Sequence, residues 1–308
     1  MNRIIVTAGA TYLDIDAYAC SIALAELLRI KGIDAIAYSD APCNYSVCPS
    51  LPADGRLVTS LPKDIEEESE YIIVDVSDPN YLKDNVPLSN IVEVYDHHVG
   101  FEDYWYDRIG NGSHIEFVGA AATLIYREWK REGLEDKMSR SSALLLIAAI
   151  LDNTLNLTSS NTTEEDREVF GALCRKENID DEWCAAYFAE VQTSVEADLK
   201  NAIFNDIKSI NDNDILPPRM AQLCVWNGEG IIKKLPEIRK YFDGKDNWLM
   251  NIIDLNHRYS YFVTDNSACQ AGLEEIFDVR FESGVAISPV PYLRKEIIKN
   301  IISKNIGG

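Results

Sequence analysis

Carboxylates and imidazoles recur just past the apolar runs of this sequence. Asp14 and Asp16 follow Ile4-Ile5-Val6 across a small-residue loop, Asp75 closes Tyr71-Ile72-Ile73-Val74, and Asp96-His97-His98 ends the run that begins at Ile91. Asp152 closes a fourth apolar segment, Leu144 to Leu151. Carboxylates that converge repel one another unless cations lie between them. Carboxylate oxygens suit Mg²⁺ or Mn²⁺, and an imidazole tilts the choice toward Mn²⁺ or Co²⁺. One or two such ions can clamp a phosphoryl group and activate a water. Each piece is weak alone, because an acid past a strand is often only a helix cap. Asp-His-His directly after an apolar strand is rarer, and the ordered set is far more specific than its members.

Such a set needs a scaffold that brings strand ends together. Arg3 to Thr7, Ala35 to Tyr38, Tyr71 to Asp75 and Ile91 to Asp96 read as short apolar strands, separated by helices or long crossovers. That alternation predicts a buried, mainly parallel sheet flanked by helices, in which ligands gather beyond the carboxyl ends of the strands. Asp16 to Lys31 has helical periodicity and stops at Gly32, and Phe117 to about Ile210 is mostly helical, with Thr162 to Asp166 as a capping signal. Strands at Met220 to Trp226, Trp248 to Ile253, Tyr259 to Val263 and Val285 to Ile287 alternate with helices at Gly230 to Phe242, Ala268 to Phe277 and from Leu293 onward. The expected class is α/β, with a metal-carrying domain over 1–193, a helical linker over 194–216 and a smaller α/β domain over 217–308.

Four segments together resemble the DHH phosphoesterase superfamily: TYLDIDA (11–17), IIVDVSDP (72–79), DHH (96–98) and AAILDNTLNL (148–157), in the family's order. The C-terminal part is similar to the DHHA2 domain of pyrophosphatase-like, exopolyphosphatase-like and prune-like members. It carries this likeness at Phe204 to Lys208, Met220 to Leu223 and Leu293 to Glu296. The resemblance implies that Asp14, Asp16, Asp75 and His97 ligate metal, with Asp75 as the bridge if there are two ions. It implies that His98 hydrogen-bonds or protonates a phosphate oxygen, and that Lys208, Arg294 and Lys295 clamp the substrate. A solvated lysine is the equal alternative for Lys208. His114 precedes a segment similar to a family helix near the active site, so phosphate contact and a surface or capping role both stand open for it. Two positions depart from the pyrophosphatase pattern. Ala10 replaces a histidine, and Asn153 stands where an aspartate is expected, with Asp152 one place early as a substitute metal ligand. Asn153 can still offer a carbonyl oxygen to metal or substrate.

The implied activity is metal-dependent hydrolysis of a phosphoanhydride, with pyrophosphate or short-chain polyphosphate as substrate. The alternatives are hydrolysis of another small phosphoester, or a phosphate- or nucleotide-binding sensor of low turnover. Composition narrows the partners. The 308 residues include 50 acids against 29 Lys and Arg, a net charge of −21, which repels nucleic acid and anionic membrane. The glycine-rich element of the sister DHHA1 domain is absent, which argues against nanoRNA and cyclic-dinucleotide substrates. The partner is therefore a small phosphorylated molecule, and the resemblance adds a homodimer as an option. No apolar run reaches the roughly 20 residues of a membrane helix. The seven cysteines form no zinc spacing, and free thiols suit a reducing, cytoplasmic setting. There is no Walker loop, no G-x-S-x-G elbow and no His-Glu-x-x-His helix.

Overall fold

The computed structural model describes residues 3–10, 12–51, 56–82, 86–210 and 215–305. The chain divides into two compact units, Met1–Cys184 and Ala185–Gly308. The first contains β1 (Ile4–Thr7), α1 (Ile15–Ile30), β2 (Ala35–Tyr38), β3 (Leu57–Val58), α2 (Lys63–Glu68), β4 (Glu70–Val74) and β5 (Ile91–Asp96). It continues with α3 (Glu102–Ile109), β6 (Ser113–Ile115), α4 (Ala121–Arg131), α5 (Arg140–Asn153) and α6 (Glu164–Glu177), and α7 (Asp181–Ala197) crosses the boundary.

The six strands form one sheet in the order β3-β2-β1-β4-β5-β6. Every pairing in it is parallel. The chain winds outward from β1 in one direction to β2 and β3, then returns to its other side for β4, β5 and β6. A crevice therefore opens between the loops leaving β1 and β4, the switch point at which open α/β sheets bind ligands. Register makes the strand ends level. Thr7 faces Ile73 and Val74 faces Tyr95, so Asp75 and Asp96 leave the sheet side by side.

Two helices of this unit are apolar on every side and are core rather than cover. In α1, residues are buried from Ile15 to Ala25 and again at Leu27 and Leu28. In α5, Leu145 to Leu151 are all fully buried. The two pack along one another, and α4 lies against both. Asp14 caps the start of α1. Gly32, at φ +82°, turns the chain away after its end, a conformation that side chains with a Cβ resist. The expected strands and helices are present here. Leu57–Val58 and Ser113–Ile115 add two short edge strands that the apolar pattern did not mark, because two or three residues carry too little alternation to register.

The second unit contains α8 (Leu199–Asp206), β7 (Lys208–Ser209), β8 (Arg219–Val225), α9 (Glu229–Lys233), α10 (Leu235–Tyr241) and β9 (Trp248–Asp254). It ends with β10 (Tyr259–Val263), α11 (Ser267–Phe277), β11 (Val285–Ile287) and α12 (Arg294–Asn305). Its sheet has the order β11-β10-β9-β8-β7, with β8 and β9 parallel and the other pairs antiparallel. The central β9 is buried throughout. Met220, Leu249, Phe262, Leu273, Phe277 and Ile297 form the core beside it. The single helix expected over 230–242 is two, α9 and α10. Pro236 sits in the first turn of α10, where its missing N–H is harmless, whereas a continuous helix would need that donor. Among the described residues no helix is long and apolar enough to cross a membrane.

Candidate metal centre

The site assembles from three strand ends and two helix starts. Asp14 accepts the Ala17 amide at 3.0 Å and so serves as N-cap of α1. Asp16, in the first turn of α1, is wholly buried. Its two oxygens accept the Ala121 and Ala122 amides at 2.8 and 2.9 Å. Those are the first amides of α4, whose own N-cap residue Ala120 has no side chain to bond them. Asp16 thus caps a second helix from outside it, where free N–H groups and the helix dipole favour negative charge. The Cys20 thiol also donates to Asp16, at 3.3 Å.

Asp75 leaves β4 at φ +61°. The left-handed region costs about 1–2 kcal/mol for a residue with a Cβ and persists only where the surroundings over-determine it. Here the Asp75 amide is held by the Tyr95 carbonyl at 2.7 Å. Its Oδ1 is buried and takes no hydrogen bond. Asp96 is fully buried at the end of β5. Its Oδ1 accepts the amides of His97 and His98 at 2.8 and 3.1 Å and the His98 ring Nδ1–H at 2.9 Å. The two following loops are stitched together, since Ser77 Oγ donates to the His98 carbonyl at 3.0 Å and buried Trp105 donates to the Ser77 carbonyl at 2.6 Å.

His97 Nδ1 lies 3.2 Å from the Val118 carbonyl. A carbonyl can only accept, so this contact places the proton on Nδ1 and leaves a lone pair on Nε2. That Nε2 is 3.4 Å from Asp75 Oδ1 and 3.9 Å from Asp16 Oδ2. Ligand atoms of Asp75, Asp96, His97 and His98 all fall within 4.8 Å of one another.

Burial pushes the Asp16 carboxyl up to about 7, with the Asp14 charge adding to the effect and the two α4 amides and Cys20 opposing it. Asp75 is driven well above the carboxylate range by burial and then by Asp16, Asp14 and Asp96. Asp96 goes the other way: burial would raise it, but the hydrogen bond and charge of His98 hold it low. His98 is raised in return, its partial burial outweighed by Asp96. Each partner thus favours the charged form of the other across a 2.9 Å contact, with His98 side-chain exposure of 65%. Buried carboxylates pushed upward by one another, a buried oxygen without a donor and an aimed imidazole nitrogen suit a divalent cation. The donor set of oxygens and one nitrogen fits Mn²⁺ or Mg²⁺.

Of the residues expected to act, the fold brings Asp14, Asp16, Asp75, His97 and His98 together. Asp152 and Asn153 end α5 half-buried. Asn153 turns its amide back onto the Ala149 carbonyl at 3.4 Å. His114, on β6, stacks on Tyr95 with ring centroids 4.4 Å apart. The three cations belong to the second unit. Lys208 and Lys295 are exposed. Arg294 grips the Asp206 carboxylate at 2.5 and 3.3 Å and donates to the Asp206 carbonyl at 2.7 Å. The residue reading gave Asp96 no role beyond its motif, although the motif itself pointed to it. The α4 amides and the Val118 carbonyl left no side-chain signature at all.

Similarity to known proteins extends along nearly the whole chain. No family model matches. A probable manganese-dependent inorganic pyrophosphatase of Staphylococcus haemolyticus is 25% identical over 309 residues, covering 94% of each chain. One of Clostridium acetobutylicum is 27% identical over 248 residues, covering 80% of this chain and 78% of the other. The chain is thus similar over most of its length to proteins named as manganese-dependent inorganic pyrophosphatases. Its fold agrees: a putative family II inorganic pyrophosphatase of Methanococcus jannaschii superposes with a TM-score of 0.68 over all of both chains at 19% identity. An exopolyphosphatase-related protein of Bacteroides fragilis superposes at 0.55, covering 98% of this chain and 91% of that one at 13% identity.

Two predictions come from these charges. Asp16 and Asp75 titrate higher folded than unfolded, so their contribution to the stability of the metal-free protein is full below the ordinary carboxylate range and is lost as pH rises, through about 7 for Asp16 and through a value well above the ordinary range for Asp75. Asp75→Asn should therefore melt higher than wild type in chelator at pH 8, and the gap should close toward pH 5. Thermal melts across that range would show a constant or inverted gap if the carboxyls were not in conflict. In the second unit, Arg294→Ala leaves Asp206 partly buried without its fork. With Asp206 side-chain exposure at 35%, the loss should be about 2 kcal/mol by denaturant titration, below that of a fully buried pair.

Proposed function

We propose that this chain is a divalent-metal-dependent phosphohydrolase that cleaves a phosphoanhydride, with pyrophosphate or short-chain polyphosphate as its substrate. The observation that carries this reading is the mutual approach of Asp16, Asp75 and His97 Nε2 at the switch point of the parallel sheet. The relatedness to proteins named as pyrophosphatases supports it.

Asp16, Asp75 and His97 would hold the ion, with Asp14 beside them. When bound, such an ion polarises a phosphoryl oxygen and makes a water more acidic. The remaining work falls to side chains. His98 has its Nδ1–H committed to Asp96, so its exposed Nε2–H is the group that donates to a phosphoryl oxygen. Asp96 favours the charged form of the His98 imidazole, and that form brings positive charge to a chain whose net charge would otherwise repel a polyphosphate. Lys208 and Lys295 are the cations of the second unit whose ammonium groups meet substrate oxygens. Arg294 is bound to Asp206 at the end of α8 and joins the substrate through whatever fork capacity Asp206 leaves it. The protein works in the cytoplasm, as a monomer or homodimer, without nucleic acid or membrane partners.

Phosphate release from pyrophosphate, tripolyphosphate, nucleotides and simple phosphomonoesters, each with Mn²⁺, Mg²⁺ or Co²⁺, tests this directly. Anhydride hydrolysis that disappears in chelator is expected, and Asp75→Asn should lower it by roughly 10²-fold or more. Preference for a monoester, or turnover untouched by chelator, would sink the reading. A second reading, a different phosphoester or a sensor of low turnover, is favoured by Ala10 and by the inward turn of Asn153. These leave a second ion fewer anionic donors. Activity should then rise with Mn²⁺ in two phases, one tight and one weak. Ala10→His combined with Asn153→Asp should tighten the weak phase and increase pyrophosphate hydrolysis. Tight metal binding without that increase would point to the second reading.

A further inference from the structure

One short segment, residues 118–123, touches both of the buried ligands that face Asp75. The Val118 carbonyl fixes the ring of His97, and the Ala121 and Ala122 amides hold the two oxygens of Asp16. The segment has little anchorage of its own, since Ala120 offers α4 no side-chain cap. What holds it is Asp166, a wholly buried carboxylate in the first turn of α6. Its Oδ2 accepts the Gly119 amide at 2.8 Å, and its Oδ1 accepts the Thr123 hydroxyl at 2.6 Å.

Asp166 also completes the capping box of α6, where its Oδ2 accepts the Thr163 amide and hydroxyl, both at 2.7 Å. A capping box needs only the Thr163 amide on Asp166 Oδ2 and, in return, the Asp166 amide on Thr163 Oγ1 at 3.3 Å. The bonds to Gly119 and Thr123 are additional, and they reach across 47 and 43 residues of sequence. The approach is close enough to demand glycine: a Cβ at 119 would stand 2.6 Å from Asp166 Oδ2 and 2.6 Å from Thr154 Cγ2. Thr154 directly follows the end of α5, so α5 and α6 both brace the same segment.

We propose that Asp166 is a positioning residue of the metal centre, setting Asp16 and His97 at ligand geometry through the segment 118–123. The inference rests on the reading of those two residues as metal ligands. Groups that orient ligands from behind commonly change metal affinity by about 10–100-fold when lost, whereas a cap that merely stabilises the fold changes only the melting temperature.

The two sides of the Asp166 carboxylate separate these roles. In the full chain, Thr123→Val removes a bond on the α4 side and Thr163→Val two on the α6 side, and Asp166→Asn alters both sides. Mn²⁺ affinity by calorimetry, the melting temperature in chelator and the ¹⁵N shifts of the His97 ring in the metal-free protein are measured for each. Thr123→Val should weaken Mn²⁺ binding by about 10-fold and Asp166→Asn by about 10–100-fold, with a displaced His97 signal. Thr163→Val should lower the melting temperature while keeping affinity within about twofold and the His97 signal in place. Wild-type affinity in Thr123→Val, or equal weakening by Thr123→Val and Thr163→Val, overturns the proposal. Should Asp166→Asn fail to fold, the threonine pair decides alone. A wild-type chain that binds no Mn²⁺ would remove the metal reading and this inference together, whereas unchanged affinity in the variants removes only the role of Asp166.

Discussion

Four carboxylates share the carboxyl end of one parallel sheet, and their mutual repulsion is the constraint to which the rest of the first unit answers. Asp14, Asp16, Asp75 and Asp96 arrive there on three strand exits. Three of them are buried, where water cannot screen their charge. The protein relieves part of this strain internally. Asp96 is neutralised by His98 and by two backbone amides, and Asp16 receives the positive end of α4. Asp75 receives least, and its buried oxygen faces the His97 nitrogen. The charge left over is what a divalent cation would answer.

Holding like charges together requires a frame that does not yield. The sheet supplies it through level strand ends, and α1 and α5 supply it through cores that are apolar all round. The strain is concentrated in a few backbone positions. Asp75 is left-handed, and so are Leu155, Asn156 and Leu157 in succession, at φ 51°, 57° and 61°. That turn is secured by the Asn156 amide on the Leu151 carbonyl at 2.8 Å and the Leu157 amide on Thr154 Oγ1 at 3.1 Å. It carries the chain from the end of α5 toward the capping box of α6, beside the segment that holds Asp16 and His97. Local strain is tolerated because the packing on either side fixes it.

The second unit manages charge differently. Arg294 is bound to Asp206, so this cation is structural first. Lys208 and Lys295, close to this pair in sequence, are exposed. In a chain of net charge −21, such placement decides where a polyanion can be met at all, because the mean field of the surface opposes it.

The acids, the imidazoles and the sheet that presents them were legible in the sequence. An apolar strand followed at once by a polar group is a local pattern, and α/β alternation makes strand ends converge. The limits were equally local. Leu57–Val58 and Ser113–Ile115 were too short to show as strands, and one proline split an apparently continuous helix. His114 stood near an active-site-like segment in sequence, yet its strand direction sets its ring on Tyr95. Asn153 aligned with a ligand position, yet the last turn of α5 bends its amide back on the helix. Which oxygen stays without a donor, which nitrogen of His97 keeps its lone pair and which helix Asp16 caps depend on backbone groups brought together from distant parts of the chain. Every residue carries the same amide and carbonyl, so only the folded arrangement could decide which of them would hold the site.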